Sequence, residues 1–175
     1  MTHPIIYNVV DKELTDYFWK FAQSVEAQDE ALEIFQNTAT GGRRTEEDHL
    51  VDCIYGVVGE LAAFKRLSTA GWKCERSAAW SPATAHIDGH LLSRPVDIKL
   101  KYRGGDRFEQ TLNEKRLCEE HDDNILYICI EMVNEELMFR GERYFKDLRE
   151  SSIGKGDYAY RDELQQLLGP NATTL

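Results

Sequence analysis

Nowhere in the chain is there a run of about 18 apolar residues, so the sequence offers no membrane-spanning helix. The first residues, MTHPIIYNVV, show neither a basic leader nor a small-residue cleavage site, and a soluble, cytoplasmic protein is expected. Cysteine is scarce: Cys53, Cys74, Cys118 and Cys129 are widely spaced with no CxxC pair, which excludes a zinc knuckle or a disulfide framework by pattern and points to reduced interior thiols. The sequon Asn171-Ala-Thr173 then carries no information. Positive charge is also short, with 21 Lys and Arg against 31 Asp and Glu and a net charge of −10. That balance argues against a protein that coats nucleic acid, because such binding rests on neutralising phosphates. It leaves room for an enzyme whose carboxylates hold a divalent cation, since the bound ion reverses the local field. Internal repeats and low-complexity segments are absent as well.

What is present suits one domain of 175 residues, with 42% hydrophobic residues and 10% aromatics to close a core. From Asp11 to about Gln36, Leu14, Phe18, Phe21, Val25, Leu32 and Phe35 recur at helical spacing and predict one amphipathic helix. Turn residues fill 37 to 44. Thr45, followed by Glu46, Glu47 and Asp48, then reads as the start of a second helix running to about Ala70, with Gly71 as its stop. Trp72 to Arg76 follows, and then two segments of strand character, His86 to Leu92 and Pro95 to Arg103, predicted to form a hairpin around Ser93-Arg94. Gly104-Gly105 ends the hairpin, and Arg107 to Glu120 fits a polar helix. Ile125 to Met132 is the most hydrophobic run and predicts a central strand, with Glu136 to Arg143 paired beside it and a polar helical tail after Gly156. The order of elements predicts an α/β fold with a mixed central β-sheet flanked by helices.

The chemistry gathers on the hairpin. Along Pro95 to Arg103, Val96, Ile98, Leu100 and Tyr102 face one way, and Asp97, Lys99, Lys101 and Arg103 the other. The simplest account of such a strand is a sheet edge whose charged face is solvated. Asp88, nine residues before Asp97, gives it a second meaning, because a short turn brings both carboxylates to one end of the hairpin. Hard divalent ions such as Mg²⁺ take oxygen ligands, keep several waters, and need only two or three carboxylates plus substrate phosphate. Lys99 shares the face of Asp97, where an ammonium can hold or deprotonate an attacking water and offset charge building on a phosphorane-like transition state. Glu60 lies on the second helix between Gly56 and Gly59 and Ala62 and Ala63, small residues that allow close approach to the sheet, and it can serve as a metal or water ligand.

Three segments resemble the PD-(D/E)XK nuclease superfamily, to which many restriction endonucleases belong. Gly56-Val-Val-Gly-Glu60-Leu-Ala-Ala-Phe-Lys-Arg-Leu67 with Ala70-Gly-Trp72 is similar to the family's first core helix, Ile87-Asp88-Gly89 to its PD element, and Asp97-Ile98-Lys99 to its (D/E)XK element. The likeness covers about residues 45 to 148, leaving 1 to 44 as an N-terminal helical extension and 149 to 175 as a C-terminal helical tail. It departs from the pattern at Ile87, which stands where the family has Pro. The resemblance implies a restriction-endonuclease-like core and a metal-dependent nuclease, an endonuclease cutting DNA rather than RNA and encoded by a bacterium or phage. Asp88 and Asp97 would be metal ligands, Glu60 a further ligand directly or through water, and Lys99 the water-positioning base. The cofactor is expected to be Mg²⁺, with Mn²⁺ able to substitute.

Arg43, Arg44, Lys101, Arg103, Arg107 and Gln110 are the candidate contacts to substrate, and Trp80 can stack on a base; for each the plain alternative is a solvated or buried side chain. His86, Asp88 and His90 alternate on one strand face, a spacing that can instead bind Zn²⁺. A homodimer is expected if both strands of a duplex are cut, with the N-terminal helix as a possible interface. The rival from another class is a non-catalytic restriction-like scaffold or an acidic mimic of DNA, which the charge of −10 favours and the cations Lys99, Lys101 and Arg103 oppose.

Overall fold

The computed structural model describes residues 5 to 38, 40, 45 to 77, 87 to 102 and 125 to 144. Helix α1 (Lys12–Ala22) starts at Asp11, whose side chain accepts from the backbone N–H of Leu14. Helix α2 (Val25–Asn37) starts at Ser24. The single helix expected over Asp11 to Gln36 is therefore two. Ser24 makes the break: its hydroxyl donates to the Phe21 carbonyl and accepts from the Ala27 N–H, offering the backbone an alternative to the helical ladder. The apolar period runs on through the break because α1 and α2 both pack on the same third helix, burying Leu14, Phe18, Ala27 and Ala31 completely.

That helix, α3 (Glu46–Thr69), has the ends expected from the sequence, with a reciprocal capping box between Thr45 and Asp48 and three acids in its first turn. Among the described residues no helix is long and apolar enough to cross a membrane. Strands β1 (Cys74–Arg76), β2 (Gly89–Leu91), β3 (Arg94–Lys101), β4 (Leu126–Val133) and β5 (Glu136–Tyr144) form one sheet in the order β1-β2-β3-β4-β5. All neighbours are antiparallel except β3 and β4, which run parallel. The architecture is mixed α/β. The β2–β3 turn sits at Leu92-Ser93, one residue before the expected position, with both residues at positive φ, the geometry that matches strand twist.

The core forms between α3 and the sheet. A Cβ on Gly59 would stand 3.2 Å from the Leu100 side chain and 3.6 Å from that of Ile130, so a glycine there lets the helix lie close to β3 and β4. Gly56 has open space around it and takes no part in that approach, contrary to expectation. The face carrying Val96, Ile98 and Leu100 meets α3, as the alternation requires. Strand β3 lies inside the sheet between β2 and β4, so the solvated sheet edge is excluded as an account of its charged residues. Cys53, Cys74 and Cys129 carry thiols rather than disulfides; Cys118 lies outside the described residues, as do the helix expected over Arg107 to Glu120 and the tail after Gly156.

Candidate active site

Asp88 stands just before β2 and is fixed at three points. Its N–H donates to the Val96 carbonyl and its carbonyl accepts from Ser77 N–H, each at 2.8 Å, while its Oδ2 accepts from the Ile98 N–H at 2.6 Å. The carboxylate thus closes the ladder between β2 and β3 with a side chain. The register Gly89↔Val96, carried back one residue, sets Asp88 beside Asp97. Asp97 is only 2% exposed, and Lys99, one turn of the pleat further on, places its Nζ 2.6 Å from Asp97 Oδ1. Cys129 is the partner of Lys99 in the β3–β4 register, and burial pushes its thiol far up, which keeps it protonated.

Glu60 comes from α3 and is held by Arg76 of β1. Arg76 Nε and Nη2 donate to Glu60 Oε2 at 3.3 and 2.9 Å, and Nη1 and Nη2 donate to the two oxygens of Glu30 in α2 at 3.0 and 2.5 Å. Burial pushes the Glu60 carboxyl up to about 7; Arg76 opposes the rise, and Asp97 and Glu30 add to it. Asp88 is held well above the carboxylate range, first by burial and then by the charges of Asp97 and Glu60, with Lys99 and the Ile98 N–H opposing. Burial works against the charge on Arg76, but its bonds to Glu30 and the attraction of Glu60 outweigh that and hold it firmly cationic. Three carboxylates thus lie within electrostatic reach of one another in a partly dry setting, the condition that marks many functional sites.

Glu60, Asp88, Asp97 and Lys99 are brought together by the fold. Lys101 is not part of that group. It is buried and paired with Glu131 at 3.3 Å, and Glu131 is held in turn by Arg140 at 2.8 Å, so the Lys101 ammonium is engaged inside the fold instead of reaching for phosphate. His90 is exposed opposite Pro95. Arg43, Arg44, Trp80, His86, Arg103, Arg107 and Gln110 lie outside the described residues.

Arg76 and Glu30 are the residues that sequence reasoning missed. Arg76 sits at the end of an inconspicuous three-residue strand, and Glu30 is 46 residues away from it on a helix read only for its apolar stripe.

Among the described residues, no group of three or more His, Cys, Asp or Glu is gathered closely enough to hold a metal ion. A closed zinc cage is not built from them. Asp88 and Asp97 are nevertheless hard oxygen donors set side by side, the charge of Asp97 opposing ionisation of Asp88, and Mg²⁺ is commonly held by one or two carboxylates with water completing its shell. Carboxylate oxygens are the donor type that Mg²⁺ and Mn²⁺ take. No family model, no curated protein and no solved structure matches the chain.

Proposed function

We propose that the chain is a Mg²⁺-dependent nuclease that hydrolyses phosphodiester bonds of DNA, an endonuclease built on a restriction-endonuclease-like core. The observation that carries the reading is the pairing of Asp97 and Lys99 at 2.6 Å on an interior strand, with Asp88 fixed beside them despite the repulsion between the two carboxylates. Buried charges of this kind cost several kcal/mol to maintain and are seldom kept for stability alone, about 1 kcal/mol being the scale of a single useful contact. The element order supports the same reading: the resemblance implies a helix, three strands, a helix and a strand, and α3, β1 to β3 and β4 follow that order, the second helix falling outside the described residues.

Asp88 and Asp97 would hold the ion, and Glu60 would reach it through water, since Arg76 already engages one of its oxygens. When bound, the ion supplies Lewis acidity to water and phosphate. Lys99 orients the attacking water and offsets the negative charge that grows on the phosphoryl oxygens. Its ion pair with Asp97 keeps the ammonium on the face where that charge develops. No covalent intermediate with the protein is required.

The test is cleavage of supercoiled plasmid, linear duplex and branched DNA in Mg²⁺, Mn²⁺ or EDTA. Wild type should cut only with metal; Asp97→Ala should abolish cutting, and Lys99→Ala should lower kcat by about 10² to 10³, both variants remaining folded. If nothing is cut and calorimetry detects no Mg²⁺ or Mn²⁺ binding, the acidic scaffold or DNA mimic becomes the better account. A homodimer follows from the same proposal where both strands are cut, and light scattering across the working concentration range decides it.

A further inference from the structure

We infer that Arg76, anchored on Glu30, is the positioning residue for Glu60, which makes helix α2 a part of the site. The inference rests on the nuclease reading given above. One planar guanidinium spends its Nη1 and Nη2 on Glu30 and its Nε and Nη2 on Glu60, so three elements, α2, β1 and α3, meet in one fork. The side chains of Arg76, Glu30 and Glu60 are 16, 22 and 20% exposed, enough desolvation to give the geometry force. Glu60 is gripped at Oε2, which leaves Oε1 outside the fork.

The backbone under Arg76 is fixed just as firmly. β1 and β2 pass so close that a Cβ on Gly89 would stand 2.9 Å from the Cα of Arg76 and 2.2 Å from the carbonyl oxygen of Glu75. Gly89 follows Asp88 directly, so the segment that seats the first carboxylate also seats the arginine. Lysine would not replace this fork, because a single ammonium cannot bridge two carboxylates in one plane.

The experiment uses the full chain and reads Mn²⁺ binding by calorimetry without nucleic acid, beside cleavage kinetics and thermal melts. The variants are Arg76→Met, Arg76→Lys, Glu30→Gln and the double variant Glu30→Gln/Arg76→Met. Removing a cation beside carboxylates should by charge alone tighten Mn²⁺ binding; loss of positioning should weaken it. The expected result is about 10-fold to 100-fold weaker Mn²⁺ binding in Arg76→Met, with kcat falling and KM for DNA within about twofold. Arg76→Lys should recover only part of the loss, Glu30→Gln should show a smaller loss in the same direction, and the double variant should be no worse than Arg76→Met, as expected of residues acting in one chain.

Unchanged or tighter Mn²⁺ binding in Arg76→Met, or fully additive losses in the double variant, would overturn the inference while leaving a metal-binding wild type intact. A wild type that neither binds Mn²⁺ nor cuts sinks the nuclease reading and the inference with it. If Arg76→Met fails to fold, Arg76→Lys and Glu30→Gln decide the question by the same readout.

Discussion

A carboxyl group that meets other carboxylates in a partly dry setting binds its proton more tightly in the folded chain than in the unfolded one. Glu60 is the clearest case, pushed from 4.5 to about 7 by burial, with Arg76 limiting the rise. The sign of the linkage follows: the ionised group opposes folding, so its contribution is most favourable below pH 4.5, declines as pH rises toward 7 and is constant above. Metal-free wild type should therefore lose about 3 kcal/mol of stability over that interval through this residue, and Glu60→Gln should flatten the slope in thermal melts recorded from pH 4 to 8. Asp88→Asn goes further. The amide oxygen still accepts from the Ile98 N–H while the like charge facing Asp97 disappears, so the metal-free variant should melt above wild type at pH 8 and lose the advantage at acid pH, and under the proposed function it should not cut. A variant that is both more stable and inactive is the mark of a residue retained for function. Asp88, Asp97, Lys99 and Glu60 were all legible in the sequence, because the first three follow from strand alternation and a short turn. Arg76 was not, because its importance comes from partners outside any local pattern.

The elements themselves divide in the same way. α3 shows its limits in the sequence because caps act over three or four residues: Thr45 and Asp48 satisfy each other's backbone groups, and Gly71 follows the last turn. The break between α1 and α2 was not legible, since the apolar period continues across it and a single serine decides the local hydrogen bonding. Glycines that look alike in sequence also part company. Gly56 has open space around it, so Gly56→Ala should stabilise the helix by about 0.5 to 1 kcal/mol. Gly89→Ala would drive a Cβ to within 2.2 Å of the Glu75 carbonyl oxygen and 2.6 Å of the Phe64 ring, and should cost about 3 kcal/mol or prevent folding. Urea unfolding of the two variants side by side measures both effects.

On the scale of the whole molecule, residues 5 to 38 cannot be a detachable extension of the core. Leu14, Phe18, Ala27 and Ala31 are fully buried, Phe18 meets Tyr55 of α3 edge to face, and Asp11 is ion-paired with Arg66 of α3 at 2.9 Å. The main chain continues this attachment at the sheet, where the Asn8 and Asp11 N–H groups donate to the Phe139 and Leu137 carbonyls of β5. Phe18→Ala should cost about 3 to 5 kcal/mol in denaturant unfolding, as a cavity in a continuous core does. Deletion of residues 1 to 44 should leave a chain that aggregates and gives no cooperative melt; a truncated chain that melts as cooperatively as the full chain would show the segment to be dispensable. The face of α1 and α2 that packs on α3 is not available as a dimer interface, which leaves only their outer surfaces for that role.

The sequence by itself determined what short-range geometry controls. Helical period and capping set α3, the two-residue period of a strand put Asp97 and Lys99 on one face, and a tight turn brought Asp88 level with Asp97. Only the tertiary structure decided that β3 is interior, that Lys101 turns inward to Glu131, and that Glu30 reaches across 46 residues to fix Arg76 and through it Glu60. The physical reason is one of range. Local backbone sterics repeat every two or 3.6 residues and are written in any window of the chain, whereas charge pairing and burial depend on which distant surfaces meet, and these come into being only when the sheet and helices α1 to α3 close on one another.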